Sequence, residues 1–430
     1  MHRRTLLIGF TALSVGIGGA CAPSDSRTAS RIECDVDNGG ITLPTGFCAQ
    51  VVADLSQRAR HVAVRPDGDI VIAVAQRRGQ DDAVGGVYVL RDTTGDGRTD
   101  VQARFGEVNG GTGLALVGDQ LWFGYDDAIV RFTLPAGALE PSAGPDTIVR
   151  SLPADRSHAA KSIGVSRDGR LFVNIGSPSN SCQETDRQDN SPGMDPCPEL
   201  ETRAGIWVFD ANRTGQTQAD GRRFATGIRN AVAHTLHPVD GALWALQHGR
   251  DQLTANWGFT NEQGAETPAE ELLRINEGDD FGWPYCYFSP DAGRRVLAPE
   301  YGGDRVQEGR CAEKKAPAFA FPAHWAPNAI LFYTGEQFPV RYREGAFIAF
   351  HGSWNRAPLP QGGYNVVFLP FNAGAPLTGH DVFADGFAGA IVQPGDAAHR
   401  PTGLAQGPDG SLYITDDQRG RIWRVVYRGE

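Results

Sequence analysis

The sequence predicts an all-β fold, a β-propeller whose blades carry long loop insertions, on the basis of three observations. The chain of 430 residues contains 54 glycines and 27 prolines, which favours a turn-rich β architecture over a helical bundle. A unit of apolar strand, Asp-Gly turn and second apolar strand recurs at intervals of roughly fifty to seventy residues, as four-stranded blades with insertions require. A helical period of useful length is found only at Pro268 to Ile275.

The recurring unit marks two neighbouring strands of each expected blade. Asp-Gly between alternating apolar runs is a strong hairpin signal, because glycine adopts the positive φ that a tight turn requires. Clear copies cover residues 62–72, 163–172, 237–244 and 404–414, and a weaker copy around Gly118-Asp119 covers residues 114–123. Each copy therefore predicts one hairpin.

An early strand is expected to close the ring of blades. Residues 49–55 form an apolar run near the start of the chain, and residues 421–427 form another at its end. Pairing of the two would complete the last blade. The alternative is that residues 49–55 form an unrelated edge strand.

The chain divides into an export signal (1–20), a flexible leader (21–44) and a propeller domain (45–430). His2-Arg3-Arg4 gives a positive start, and the apolar run that follows to Ala20 is too short to span a bilayer comfortably. We therefore expect a periplasmic or otherwise exported protein. Cys21 follows small residues as in a bacterial lipoprotein box, so both a lipid anchor at Cys21 and its loss with the signal stay open.

Net charge and cysteine content narrow the functional class. The formal net charge of -11 argues against a nucleic-acid partner, which requires a basic surface. Apart from Cys21, an even number of cysteines in an oxidising compartment favours disulfides over a metal site, since no C-x-x-C spacing occurs. Other connectivities stay open, but the cysteines fall into neighbouring pairs that bracket polar loops: Cys34–Cys48, Cys182–Cys197 and Cys286–Cys311.

Several short motifs resemble one enzyme family. Three of them together supply the parts needed to hold a flat polyanionic cofactor: a guanidinium with several donors, a flexible backbone turn and an indole. They are Gly227-Ile228-Arg229-Asn230, Gln247-His248-Gly249-Arg250-Asp251 and Phe281-Gly282-Trp283-Pro284. With Ser157-His158, the segment 351–356 and Arg400-Pro401-Thr402-Gly403, they resemble the quinoprotein glucose/sorbosone dehydrogenases from about residue 45 onward, and the sorbosone branch most closely. The resemblance implies a six-bladed β-propeller that uses pyrroloquinoline quinone (PQQ) and Ca²⁺.

The resemblance also implies roles for particular residues. His158 corresponds to the general base that removes the proton of the sugar C1 hydroxyl, and Arg229 with Asn230 to the pair that polarises the quinone. The segment of His248, Gly249 and Arg250 corresponds to the calcium site, where backbone carbonyls of Gly249 and Arg250 would be ligands. Judged by position alone, a single histidine is more often structural than catalytic.

The family's cationic contacts to the PQQ carboxylates are only partly conserved in this sequence. Arg400 matches one channel arginine, Thr402 stands at the position of the second, and Arg356 is the nearest candidate for a channel lysine. Trp325 is expected at the mouth of the site with His324 and His351, although each could instead pack under an insertion.

These observations favour a PQQ- and calcium-dependent oxidoreductase. It would oxidise C1 of an aldose or aldosone to a lactone or acid, with the hydride passing to the quinone and the electrons to an external acceptor, a quinone or a cytochrome. Two alternatives stay open: a metal-dependent propeller lactonase and an extracellular propeller that binds a partner without catalysis.

Overall fold

A computed structural model of the chain describes His2 and residues 32–55, 57–76, 85–108, 110–155 and 157–429. The chain divides into two units, Met1–Arg31 and Ile32–Glu430. The expected export signal and Cys21 therefore lie outside the described residues, apart from His2, and the fold below is that of the second unit.

Six antiparallel sheets form the six blades of a β-propeller, which confirms the expected fold. The chain begins with β1 (Phe47–Asp54) and continues through blade 1, which contains β2 (Arg58–Val64), β3 (Ile70–Ala75), β4 (Gly85–Arg91) and β5 (Val101–Val108). Blade 2 contains β6 (Leu114–Val117), β7 (Gln120–Gly124), β8 (Ile129–Thr133) and β9 (Asp146–Val149). Blade 3 contains β10 (Ile163–Val165), β11 (Arg170–Ile175), β12 (Gly205–Asp210) and β13 (Arg222–Thr226).

The second half of the ring follows the same plan. Blade 4 contains β14 (Ala233–Leu236), β15 (Leu243–Gln247), β16 (Glu270–Ile275), an inserted hairpin of β17 (Cys286–Ser289) and β18 (Arg294–Leu297), and β19 (Phe319–Phe321). Blade 5 contains β20 (Pro327–Phe332), β21 (Gly345–Phe350), β22 (Asn365–Asn372), the short β23 (Ala375–Pro376) and β24 (Asp381–Ala384). Blade 6 contains β25 (Pro401–Gln406), β26 (Leu412–Asp416), β27 (Arg421–Tyr427) and the early strand β1.

The recurring Asp-Gly unit forms the inner hairpin of a blade. It connects the first two strands of blades 1, 3, 4 and 6, and the weaker Gly-Asp copy does the same in blade 2. Gly68 and Gly410 have φ values of +95° and +85°, the left-handed region in which a Cβ is strained. In blade 5 the longer connection of residues 333–344 replaces the turn, which is why the sequence shows no copy there.

The predicted closure of the ring is confirmed. Strand β1 pairs antiparallel with β27 from Phe47 opposite Tyr427 to Asp54 opposite Arg421. Outside the ladder, the Arg421 guanidinium donates to both carboxylate oxygens of Asp54 at 2.8 and 2.9 Å. The first and last parts of the described chain therefore hold one blade together, which makes the ring a single cooperative unit.

The packed domain starts earlier than residue 45. Asp35 accepts a hydrogen bond from the Val51 amide, Thr42 pairs with Asp385, and Ile41 is buried in the core between blades 5 and 6. Part of the segment expected to be a flexible leader is therefore fixed against the propeller, because it fills apolar surface that blade 6 would otherwise expose.

The loops between strands carry the remaining helices. Two short helices, α1 (Leu253–Trp257) and α2 (Asn261–Glu266), lie between β15 and β16. Single 3-10 turns occur at Asn38–Gly40, Pro198–Glu201, Gln218–Asp220, Pro299–Tyr301, Gly309–Glu313 and Val340–Tyr342. The helix suggested at Pro268 to Ile275 is wrong: this segment is β16, because pairing with β15 and β19 on its two edges outweighs a short periodic signal.

All three predicted disulfides are present. Cys34–Cys48 ties the segment before β1 to that strand, Cys182–Cys197 closes the loop after β11, and Cys286–Cys311 closes the insertion of blade 4. None of the described helices is long and apolar enough to cross a membrane.

Candidate active site

The candidate site lies where the innermost strands of the blades begin. His158 precedes β10, Asn230 precedes β14 and Arg400 precedes β25, so strand entries from three blades meet at one end of the central channel. A cavity of about 210 Å³ at this end is lined by His158, Arg229, His248 and Gly249, which the sequence predicted as a group. Seven further residues that line it are Arg187, Asp251, Glu270, His324, Ala326, Trp354 and Asn355.

The backbone fixes His158 in an orientation that suits a base. Its φ is +52°, and its Nδ1 lies 2.7 Å from the carbonyl oxygen of Ser177. Since a carbonyl only accepts, Nδ1 carries the proton and Nε2 keeps its lone pair. A Cβ at Gly176 would lie 2.5 Å from the Cβ of His158, so glycine is required for this close approach.

The electrostatic surroundings keep His158 neutral. Burial, and secondarily the charge of Arg229, lowers the pKa of His158 to about 3. The imidazole is therefore an uncharged acceptor throughout the physiological pH range. Protonation would place an imidazolium beside a guanidinium in a poorly solvated site, which opposes proton uptake unless negative charge is also present.

Arg229 is held rigidly in the cavity wall. Its Nε donates to the carbonyl of Asn180 at 3.1 Å, and its Nη1 donates to the carbonyl of Gly249 at 3.0 Å. Its Nη2 donates to Asn180 Oδ1 at 3.1 Å and to Asp251 Oδ2 at 3.0 Å. Trp283 supports this arrangement, because its indole also donates to the Asn180 carbonyl at 3.0 Å.

Asp251 balances the positive charge of the site. Its carboxylate accepts from Arg229, from Arg187 at 3.1 Å and from the Asn355 amide at 2.7 Å. Burial alone would raise the pKa of Asp251, but the guanidiniums of Arg229 and Arg187 outweigh burial and lower it below its ordinary value. Asp251 is thus a buried, ionised carboxylate that accepts hydrogen bonds from three side chains of the site.

Asn230 and His248 are fixed by neighbouring backbone and amide groups. Asn230 accepts from the Asn174 amide at 3.1 Å, and its carbonyl accepts from the His248 amide at 2.9 Å. The Nε2 of His248 donates to the carbonyl of Pro327 at 2.8 Å, and burial lowers the pKa of His248 to about 4. Both residues lie beside His158 and Arg229, as expected.

The expected calcium segment lies against a buried carboxyl group. Glu270 accepts from the Gly249 amide at 3.0 Å and from the Ala326 amide at 3.1 Å, and burial raises its pKa to about 8. The side chain of Arg250 points away and forms a buried ion pair with Glu300. Only the backbone of Arg250 is therefore available to a cation, which is what the prediction requires.

Two residues expected to contact the cofactor, Trp325 and Arg356, do not line this cavity. The Trp325 indole packs against Phe350 and His380, with ring centroids 5.3 and 5.9 Å apart, among apolar side chains between blades 4 and 5. The aromatic side chain that does line the cavity is Trp354, which is 52% exposed. Arg356 pairs with Glu266 and donates to backbone carbonyls, so it anchors helix α2 instead of facing the cavity.

Of the two blade 6 residues expected at the cofactor, Arg400 lies at the channel end and Thr402 is buried. Thr402 is fully buried and donates to the Arg400 carbonyl at 3.1 Å, so its hydroxyl cannot contact a ligand in the channel. Arg400 is half-buried, donates to the carbonyls of His351 and Gly352 at 2.9 and 2.8 Å and lies over the ring of Tyr364. It stays at the channel end, where the prediction placed it.

The sequence reasoning missed a cationic cluster at the start of β2. Arg58 and Arg60 both pair with Asp417, at 2.8 and 2.5 Å, and His351 Nε2 lies 2.6 Å from the other oxygen of that carboxylate. Burial opposes ionisation of Asp417, but His351 and the two arginines hold its pKa well below the ordinary value. A usable signal existed, because Arg58 and Arg60 stand at the start of an inner strand, close to the position that His158 and Arg400 take before theirs.

Comparison with known proteins places the chain in a family. The TrAA12-like family profile matches residues 41–428, so the chain belongs to that family. A pyrroloquinoline quinone-dependent pyranose dehydrogenase from Coprinopsis cinerea is 27% identical over 315 residues, which cover 62% of this chain and 39% of the relative. The expected resemblance to quinoprotein sugar dehydrogenases is thereby confirmed.

Solved structures agree on the fold. A Trichoderma reesei enzyme of carbohydrate-active family AA12 superposes with a TM-score of 0.74 at 19% identity, covering 92% of this chain and 99% of that structure. The holo form of the PQQ domain of the Coprinopsis cinerea pyranose dehydrogenase gives a TM-score of 0.72 at 19% identity, covering 90% and 97%. The matched regions span only 39% to 48% of the length of the curated relatives.

Proposed function

We propose that this protein is a PQQ- and calcium-dependent oxidoreductase that oxidises C1 of a pyranose, or of a related aldose or aldosone. Its membership of the TrAA12-like family supports the proposal, as do relatives named as PQQ-dependent pyranose and sugar dehydrogenases. The product would be a lactone or the corresponding acid. An external quinone or cytochrome would then take up the electrons.

The placement of His158 and Arg229 in one cavity carries the proposal. The free lone pair on Nε2 of His158 suits removal of a hydroxyl proton from a sugar, and a positioned general base typically accelerates such a step by ~10²- to 10⁴-fold. PQQ, when bound, supplies the hydride acceptor. A propeller that only binds a partner has no need of an oriented neutral imidazole beside a buried guanidinium.

Arg229 retains one donor for a ligand. A guanidinium has five N–H groups, and Arg229 makes four hydrogen bonds to Asn180, Gly249 and Asp251. Within the described residues one N–H of Nη1 is left, which would stabilise negative charge that develops on a bound quinone oxygen. Because the other four donors are fixed, this stabilisation needs no rearrangement during the reaction.

The low pKa of His158 fits an anionic cofactor. Without a ligand beside it, His158 has a pKa of about 3 and would bind an abstracted proton only weakly. PQQ carries carboxylates, and negative charge near His158 would favour the protonated ring and so strengthen the base. The carboxylates of PQQ would therefore assist proton abstraction by His158.

Arg58, Arg60 and Arg400 are the residues proposed to bind the cofactor carboxylates. They lie around Asp417 at the same channel end as His248 and His351. Together they would supply the positive charge that is missing at Thr402 and that Arg356, paired with Glu266, directs elsewhere. Their summed charge exceeds that of Asp417, which leaves a net positive wall for an anion.

The backbone also fits a calcium ion. Gly249 accepts only one hydrogen bond from Arg229, and a carbonyl oxygen has two lone pairs, so it can still ligate a cation. The carbonyl of Arg250 and the carboxyl of Glu270 add oxygen donors, the ligand type that Ca²⁺ prefers. The adjacent carboxylate of Asp251 lowers the electrostatic cost of placing a cation near Arg229.

Trp354 and Arg187 are proposed to contact the sugar. An exposed indole at the cavity mouth offers an apolar face to the C–H side of a pyranose ring. Arg187 offers donors to the sugar hydroxyls, and Oδ1 of Asn355, which has no partner among the described residues, offers an acceptor. Export of the protein belongs to the same proposal, since three disulfides are typical of an oxidising compartment.

Reconstitution tests the proposed function. Purified protein supplied with PQQ and Ca²⁺ is expected to reduce an electron-accepting dye when a pyranose is added, and omission of either component is expected to abolish the activity. Activity with a nicotinamide cofactor alone, or inactivity with PQQ and Ca²⁺ across a panel of aldoses, would contradict the proposal.

A further inference from the structure

A second cavity lies in the same channel below the candidate active site. Its volume is about 430 Å³, and its walls are the bodies of the six innermost strands, β2, β6, β10, β14, β20 and β25. We call it the axial cavity. Because each of these strands begins at the active-site end, the axial cavity occupies the part of the channel that faces away from His158 and Arg229.

The chemistry of the axial cavity differs from that of the active site. Aliphatic side chains such as Val62, Leu114, Leu236 and Leu404 line it, and none of the described residues in its wall is an aspartate, glutamate, lysine or arginine. A buried ion would find no opposite charge there to offset the loss of its hydration. The walls therefore favour an uncharged ligand with an apolar body.

One polar group in the wall has no partner. His234 is 8% exposed, and neither ring nitrogen makes a hydrogen bond in the described part of the chain. The Ile163 backbone interacts with the ring without meeting the geometry of a hydrogen bond. Leaving such a group unpaired costs roughly 1–3 kcal/mol, so a ligand that forms a hydrogen bond with the ring would recover part of this cost.

Neighbouring residues place the ring of His234 in the cavity. It lies across from Gly164 on the neighbouring blade, where a Cβ would be 3.6 Å from Nε2, an ordinary van der Waals distance, and both residues line the cavity. His61 lines the same cavity but is satisfied, because its Nε2 donates to the Asn328 carbonyl at 2.9 Å. The unmatched hydrogen-bonding capacity therefore belongs to His234.

We propose that the axial cavity binds an uncharged small molecule with an apolar body and a single hydroxyl group, and that His234 recognises the hydroxyl. A neutral imidazole offers one donor and one acceptor, and a hydroxyl group offers the same pair in return. The volume falls within the roughly 300–1,000 Å³ typical of small-molecule sites, whose walls are mostly apolar with a few convergent polar groups. This site is separate from the proposed dehydrogenase site and does not depend on it.

The test uses PQQ-free full-length protein and two probes that differ by one group, 4-ethylphenol and ethylbenzene. Calorimetric titration is expected to show 4-ethylphenol binding about fivefold more tightly, the effect of one hydrogen bond to a group otherwise left unpaired. His234→Leu should remove that preference. His237→Leu, which alters a histidine paired with Asp240 outside the cavity, should retain it.

A spectroscopic readout covers the case in which His234→Leu does not fold. In ¹⁵N-histidine-labelled protein, 4-ethylphenol is expected to shift the ring nitrogen resonances of His234 and to leave those of His237 in place. Absence of binding by either probe, an unchanged preference in folded His234→Leu, or Zn²⁺ binding at His234 without binding of the phenol would each overturn the proposal.

Discussion

The two ends of the central channel are built from the same six strands but have opposite chemistry. At the end where the strands begin, Arg229, Arg187 and Asp251 surround the neutral His158. Along the strand bodies, the axial cavity is lined by aliphatic side chains and by a few uncharged polar ones. Among these is the imidazole of His234, for which the described residues provide no hydrogen-bond partner. One ring of strands thus carries two kinds of chemistry: the loops that enter the strands supply the charged groups, and the side chains of the strands themselves supply the wall of the axial cavity.

The two ends also differ in how they are held together. The charged end depends on buried ionic networks, in which each carboxylate serves several cations, as Asp417 serves Arg58, Arg60 and His351. The axial cavity depends on apolar packing between blades. Loss of one charge should therefore affect the first end strongly, whereas the second end should respond mainly to the protonation of its histidines.

The largest effect is expected on the rate of quinone reduction when His158, the proposed base, is replaced. In cofactor-loaded protein, His158→Ala should lower the rate of quinone reduction by ~10²- to 10⁴-fold, because the hydroxyl proton loses its acceptor. PQQ should still bind, as measured by equilibrium dialysis. His237→Ala is the control and should react at the wild-type rate, and an unaltered rate in His158→Ala would show that His158 is only structural.

A stability effect of similar size is expected at the ionic network. Asp417→Asn leaves two arginines beside a neutral side chain, and breaking a buried pair in this way costs about 3–5 kcal/mol in the free energy of unfolding. Urea denaturation would measure the loss. Asp409→Asn, which breaks the partly exposed pair with Arg424, should cost less than about 1 kcal/mol. Equal losses would mean that the network contributes no more than a surface pair.

His234 in the axial cavity should account for part of the stability that the protein loses at acidic pH. Burial lowers the folded-state pKa of His234 to about 4, below the 6.5 of the unfolded chain. The unfolded state therefore binds the proton first, so this contribution to stability is complete above pH 6.5 and is lost as the pH falls toward 4. His234→Leu should flatten the stability profile in that window by about 1.4 kcal/mol per pH unit. Identical slopes in both proteins would exclude His234 as a source of the acid sensitivity.

The smallest effect is expected on PQQ affinity, and it should distinguish Arg400 from Arg356, both of which were expected at the cofactor from the sequence. Arg400→Ala removes a cation from the channel end and should weaken PQQ binding by about tenfold, the effect of one charge-assisted contact. Arg356→Ala removes an anchor of helix α2 and should leave PQQ affinity unchanged. Fluorescence titration of the two variants would measure this difference, and a loss of affinity only in Arg356→Ala would restore the original assignment.

The sequence predicted the parts that depend on local chemistry. The Asp-Gly units identified five of the six inner hairpins, the closing strand was found from its apolar run, and neighbouring cysteines gave all three disulfides. His158, Arg229, His248 and Gly249 come together as expected, because each lies at or near a strand end that the propeller brings to one place.

The sequence could not predict contacts that depend on loop paths. Trp325 and Trp354 both lie in segments that resemble the family's motifs. Which indole packs between the blades and which lines the cavity depends on how the loops of blade 5 fold. Arg187 lies in a loop whose course is set by the Cys182–Cys197 bridge and by contacts to distant residues. The axial cavity had no sequence signal, since it arises from the spacing of six strands that each look like ordinary core.

An anaerobic single-turnover titration shows whether bound PQQ oxidises a sugar with His158 as the base. Protein loaded with PQQ and Ca²⁺ would be mixed with a panel of pyranoses while the quinone absorbance is followed. We expect stoichiometric reduction of the quinone in the wild-type protein and retained PQQ with severely slowed reduction in His158→Ala. Failure of the wild-type protein to bind PQQ, or bound PQQ that no pyranose reduces, would contradict the account.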